Sequence, residues 1–88
     1  MIDKNGNPSG PVPVPGSIVV YFRAGTPIKD IEDIFKQNGC SFSFNYPINN
    51  DLCYHVIVDV GSEDTLVTKF RSMSQVTKSD RLYLQGYL

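Results

Sequence analysis

SIVVYFRAGT, Ser17 to Thr26, decides how the rest of the chain is laid out. Ile18, Val20 and Phe22 alternate with Val19, Tyr21 and Arg23, the period-two pattern of a strand with one buried face. The first set is the more apolar and is assigned to the core. Ala24 and Gly25 end the strand. Thr26 is the expected N-cap of a following helix, and Pro27 suits its first position, where a missing N–H costs nothing.

The helix is expected from Pro27 to Gln37. Ile28, Ile31, Ile34 and Phe35 fall on one stripe, and Lys29, Asp30, Glu32, Asp33 and Lys36 cover the rest. Asn38-Gly39 stops it, since Gly39 can take the left-handed conformation of a helix end. Cys40 to Tyr46 alternates as a second strand. Pro47 to Asp51 is a turn, and Leu52 to Val60 alternates as a third. Keeping the two apolar sets on one face pairs Phe42 with Val58 and Phe44 with Val56. Cys40 then lies near Val60 with Cys53 on the opposite face, so the two cysteines are expected to be free thiols. Ser62, Glu63 and Asp64 open a second helix, with Ser62 as cap and Leu66, Val67, Phe70 and Met73 as its buried stripe. Ser74 to Asp80 is a polar connection. Arg81 to Gln85 is a last short strand with Leu82 and Leu84 on one face, and Gly86 to Leu88 is a tail.

The order β-α-β-β-α-β with right-handed crossovers predicts a ferredoxin-like α+β sandwich, a four-stranded antiparallel sheet with both helices on one face. It occupies residues 17–88. Residues 1–16 hold four of the six prolines and three of the seven glycines, so they are expected to form a flexible arm or spacer. Its functional alternative is a ligand for a proline-binding module.

Length and charge narrow the function. At 88 residues the chain is one domain, and 41% apolar content is too high for a disordered chain. A net charge of −1 gives no electrostatic case for DNA or a membrane surface. No run approaches the roughly 20 apolar residues of a membrane span, and the first residues lack the apolar stretch of a signal peptide. Two cysteines and one histidine, without metal-ligand spacing, predict no metal and no cofactor.

With the helices on one face, the other face of the sheet is left open. Val19, Tyr21 and Arg23 of the first strand are expected there. Ser41, Ser43 and Asn45 join them from the second, and Cys53, His55, Ile57 and Asp59 from the third. Val19, Tyr21 and Ile57 on a half-polar sheet suit a binding partner; the alternative is a solvated face carrying a few β-formers. Catalysis finds little footing. Asp59 is four residues from His55 along one strand, roughly 13 Å at strand rise. Ser43 could touch His55 across the hairpin, but no third group orients the pair. The domain is therefore expected not to be an enzyme.

Two resemblances sharpen the partner. Val20-Tyr21-Phe22-Arg23-Ala24-Gly25-Thr26, the helix after it and Gly39 resemble the V-x-F-x-x-G-T opening of subtilisin-type propeptides and the inhibitors related to them. VDVGSEDTLVTKFRSM resembles that family's third strand and second helix, and the likeness runs from Ser17 to Gln85. The connection before the last strand is longer than is usual there. The resemblance implies a docking face of Tyr21, Ser43, His55 and Ile57 against a subtilisin-like protease. It also implies a tail, Gln85 to Leu88, that fills the substrate groove, with Tyr87 and Leu88 as contact residues. The second resemblance is to the RNA-recognition motif. Ile31 to Phe35 with Gly39 is similar to its helix signature, and Tyr21 stands where one of its stacking aromatics sits. His55 and Ile57 occupy its other two aromatic positions. The expectation is a non-catalytic protein-binding module, propeptide-like or inhibitor-like, acting through Val19, Tyr21, Arg23, Ser43, His55, Ile57, Tyr87 and Leu88. A single-stranded RNA binder on the same face and an oligomerisation domain are the alternatives.

Overall fold

Ile18, Val20 and Phe22 are fully buried, and the strand that carries them lies between two others. The computed structural model of the chain describes residues 12–48 and 50–84, with the side chains at 45, 46, 48 and 84 excepted. The elements are β1 (Val12–Phe22), α1 (Ile28–Gln37), β2 (Ser41–Ile48), β3 (Asp51–Ile57), α2 (Glu63–Arg71) and β4 (Val76–Leu84). The sheet order is β2-β3-β1-β4 and every neighbouring pair is antiparallel. This is the expected ferredoxin-like α+β topology.

One cluster forms the core. Ile31 and Phe35 of α1 and Val67 and Phe70 of α2 meet Ile18, Val20, Phe22, Tyr54 and Val56 of the sheet. The Phe35 ring sits 5.5 Å from Phe22 and 5.7 Å from Phe70, both edge-to-face, and 5.7 Å from Tyr54 at a tilt of 59°. Each of these side chains stabilises the fold by about 1.5–3 kcal/mol through burial. Cys40 and Cys53 are free, as the two-face placement requires, and both are buried, Cys53 included although it lies on the open-face side of β3. Burial, then Asp59, pushes the Cys40 thiol above its ordinary pKa.

Several local expectations are corrected. β1 begins at Val12 rather than Ser17, so residues 12–16, expected in the arm, are strand; residues 1–11 lie outside the described residues. Prolines fit there because the ladder to β4 is broken between Pro13 and Ile18, where N–H groups are not called for. Gly16 holds that irregularity with φ +73°. Its N–H donates to Glu63 Oε2 at 2.8 Å and its carbonyl accepts from Val58 N–H at 2.9 Å.

The β2–β3 register differs by two residues from that expected: Phe42 faces Val56 and Phe44 faces Tyr54. The turn is tighter than Pro47 to Asp51, since Ile48 pairs with Asp51 around Asn50 in a left-handed conformation. A shift of two keeps every side chain on its face, which is why alternation alone allowed both registers. An irregularity between Phe44 and Tyr46 then places Tyr46 opposite Cys53.

Neither helix carries the expected side-chain cap. Thr26 Oγ1 instead donates to Arg23 O at 2.7 Å, and Pro27 holds the N-cap position of α1. At α2 the Ser62 hydroxyl makes no cap bond, while Glu63 Oε1 accepts from Gly61 N–H at 2.7 Å. Ile28 is 52% exposed and drops out of the apolar stripe of α1. β4 starts at Val76 rather than Arg81, so most of the expected connection is strand and only residues 72–75 join it to α2. Its positions opposite Phe22, Val20 and Ile18 are Val76, Ser79 and Arg81, not the Leu82 and Leu84 face.

Candidate functional site

Side chains directly opposite each other in an antiparallel sheet share a face. The pairings therefore build the open face in rows that run across the strands. One row is Ser41, Ile57 and Ser17. The next is Ser43, His55, Val19 and Asp80. A third sets Cys53 beside Tyr21 and Lys78. Both helices pack against the opposite face, and among the described residues no helix or strand lies over this one.

The structure brings together Val19, Tyr21, Ser43, His55 and Ile57. Ile57 is 46% exposed, a large apolar side chain held in water beside half-buried Val19. Arg23 does not join them. β1 ends at Phe22, and Arg23 turns toward the loop ahead of β4, with its N–H on Gln75 O at 2.8 Å and its guanidinium on Ser74 O at 3.3 Å. Tyr87 and Leu88 lie outside the described residues.

Two residues were missed because β4 was expected to begin at Arg81. Lys78 sits with Nζ 5.5 Å from the centre of the Tyr21 ring, within reach of a cation–π attraction. Asp80 borders Val19 and lies 3.8 Å from the Arg71 guanidinium. No simple alternation marks them, because the irregularity between Tyr21 and Phe22 puts Val76 on the face opposite to Lys78 and Asp80, which share its parity in the sequence. Asp51 adds a second carboxylate at the end of the face, accepting from Thr77 Oγ1 at 2.9 Å. Lys78 is the lone cation on this face among the described residues, against Asp80 and Asp51.

His55 makes its hydrogen bond to Ser17, Nε2 to Oγ at 3.2 Å, rather than to Ser43 opposite it. Ser17 is itself only 5% exposed. Asp80 is separated from His55 by the whole width of β1, roughly 10 Å at two interstrand spacings. Asp59 lies beyond β3 in the loop to α2, where its carbonyl accepts from Ser62 N–H at 2.9 Å. The face thus presents a serine–histidine pair, and among the described residues no carboxylate is placed to orient it. Among the described residues no cluster of three His, Cys, Asp or Glu side chains is arranged to hold a metal ion.

No family model, no curated protein and no solved structure matches the chain. The geometry of the face and the resemblances in its sequence carry the functional argument.

Proposed function

We propose that this domain is a non-catalytic protein-binding module that docks through the open face of its sheet, with a subtilisin-type protease as the partner class. The observation that carries this is the exposed Ile57 diagonal to half-buried Val19, with Tyr21 two rows further along the same face, on a surface with almost no net charge. Such a surface gains by excluding water against another protein. The propeptide resemblance supplies the partner class. The long connection that set the sequence apart from that family is absent, since four residues, 72–75, join α2 to β4. Single-stranded RNA is the second reading. It would use Tyr21 and His55 for stacking, but Lys78 alone against two carboxylates offers phosphates little.

The test is a titration of a subtilisin-type protease, following peptide hydrolysis. The intact chain, a chain ending at Gln85 and an Ile57→Glu variant are compared. Inhibition by the intact chain is expected, weakened at least about tenfold by Ile57→Glu, since a charge would be buried against the partner. Loss of inhibition in the shortened chain would assign the groove contact to Gly86 to Leu88. No inhibition, or inhibition indifferent to Ile57→Glu, sinks the proposal. Binding to a single-stranded oligonucleotide that weakens steeply with salt would favour the second reading.

A further inference from the structure

The two edges of the sheet are guarded unequally. On β4, Ser79 O accepts from Arg71 Nε at 2.8 Å, and Lys78, Asp80 and Arg81 charge the strand. Charge and a covering side chain are the usual means by which an edge is kept from pairing. β2, with the sequence SFSFNYPI, has no charged residue.

The backbone direction at β2 follows from β3. Val58 donates its N–H to Gly16 O, so the even-numbered residues of β3 turn their backbone groups toward β1 and the odd-numbered ones toward β2. Ser43, opposite His55, therefore bonds inward. The N–H and C=O of Phe42 and Phe44 point off the edge. The Phe44 side chain is 49% exposed and stands at the end of an aromatic row, its ring 5.4 Å from Tyr54. Phe42 lies beside it in the same row, 4.9 Å from Phe35.

We propose that β2 pairs antiparallel with β2 of a second copy of this chain, about a two-fold axis at Ser43, joining two sheets into one. In that register Phe42 lies opposite the partner's Phe44, and the outward backbone groups of the two exchange hydrogen bonds. Each exposed Phe44 is then covered by an aromatic neighbour. A second copy fits better than a foreign strand because Phe42-Ser43-Phe44 is its own complement across that axis and no like charges meet. The ends of the described chain do not compete for the site: Val12 and Leu84 pair with each other on the β1–β4 side. The irregularity after Phe44 and Pro47 confine the pairing to Ser41 through Asn45, so the dimer depends on concentration.

Sedimentation of the full chain, from micromolar up to about 1 mM, the weak end of specific association, tests this. The mass is expected to rise to twice the 9.8 kDa of the monomer. Phe44→Pro removes an N–H that points away from β3, so it is expected to keep the monomer's amide spectrum and abolish the dimer. Ser43→Cys, on the axis, is expected to cross-link two copies under mild oxidation, and Ser41→Cys to do so far more slowly. This second measurement leaves both phenylalanines in place. A chain that stays monomeric throughout overturns the proposal, as does a folded Phe44→Pro that still dimerises, or equal cross-linking at 41 and 43. A dimer lost in Ile57→Glu but kept in Phe44→Pro overturns it too, by moving the contact to the open face.

Discussion

Glu63 is a carboxylate only 6% exposed, and its two oxygens tie together parts of the chain 47 residues apart. Oε2 accepts from Gly16 N–H and Oε1 from Gly61 N–H, with Arg81 3.9 Å away. The Gly16 bond is the largest reason that its pKa lies below the ordinary 4.5; its own amide follows, burial opposes, and Gly61 and Arg81 add to the lowering. A folded-state pKa below the unfolded one means stability that is present above the unfolded value and lost as pH falls through the folded one. The urea midpoint of the wild type is therefore expected to hold above about pH 5 and to fall in acid below 4.5. Glu63→Gln is expected to start lower at neutral pH and to fall less steeply in acid. An unchanged acid limb would show that another group sets it. The sequence showed Glu63 as an acid well placed at a helix start, which it is. That it also reaches back to Gly16 is a long-range fact that no local pattern carries.

At the scale of elements, β4 shows what hides a strand from its sequence. It is an edge, its inward positions include Ser79 and Arg81, and only Val76 advertises a core. Arg81 lies opposite Ile18 and carries its charge to Asp64 at 3.1 Å and toward Glu63, so a core-side position is filled by an aliphatic stem. Ser79 is 1% exposed, and its hydroxyl has no hydrogen-bond partner among the described residues. Ser79→Ala removes that unpaired group and is expected to raise stability by about 1 kcal/mol, measured as a higher urea midpoint at constant slope. A lower midpoint would mean that the hydroxyl is bonded in solution. β1 to β3 were legible because their inward residues are almost all apolar and alternate with outward ones that are mixed. Their register was less so, because alternation fixes which face a residue takes and leaves its neighbour open by steps of two. The open face was accordingly foreseen in Val19, Tyr21, Ser43, His55 and Ile57, wrongly extended to Arg23 and Asp59 past the strand ends, and blank where β4 supplies Lys78 and Asp80.

At the scale of the molecule, Phe35 joins all three parts of the fold, touching the sheet at Phe22 and Tyr54 and the second helix at Phe70. Truncating such a residue costs about 3–5 kcal/mol. A domain of this length holds about 4–13 kcal/mol in total. Phe35→Ala is thus expected to remove much of the stability, with a urea transition that begins near zero denaturant or is already under way. A loss under about 1 kcal/mol would mean that the core closes over the gap. The order of the strands also has a bearing on how the chain is made. β1 is translated first among the strands and becomes an inner one, but its second neighbour, β4, spans Val76–Leu84. A ribosome must release nearly the whole domain before that neighbour exists. Throughout synthesis the strand carrying Ile18, Val20 and Phe22 keeps one raw edge, and it is in the nascent chain, more than in the finished domain, that this sequence is most exposed to mispairing.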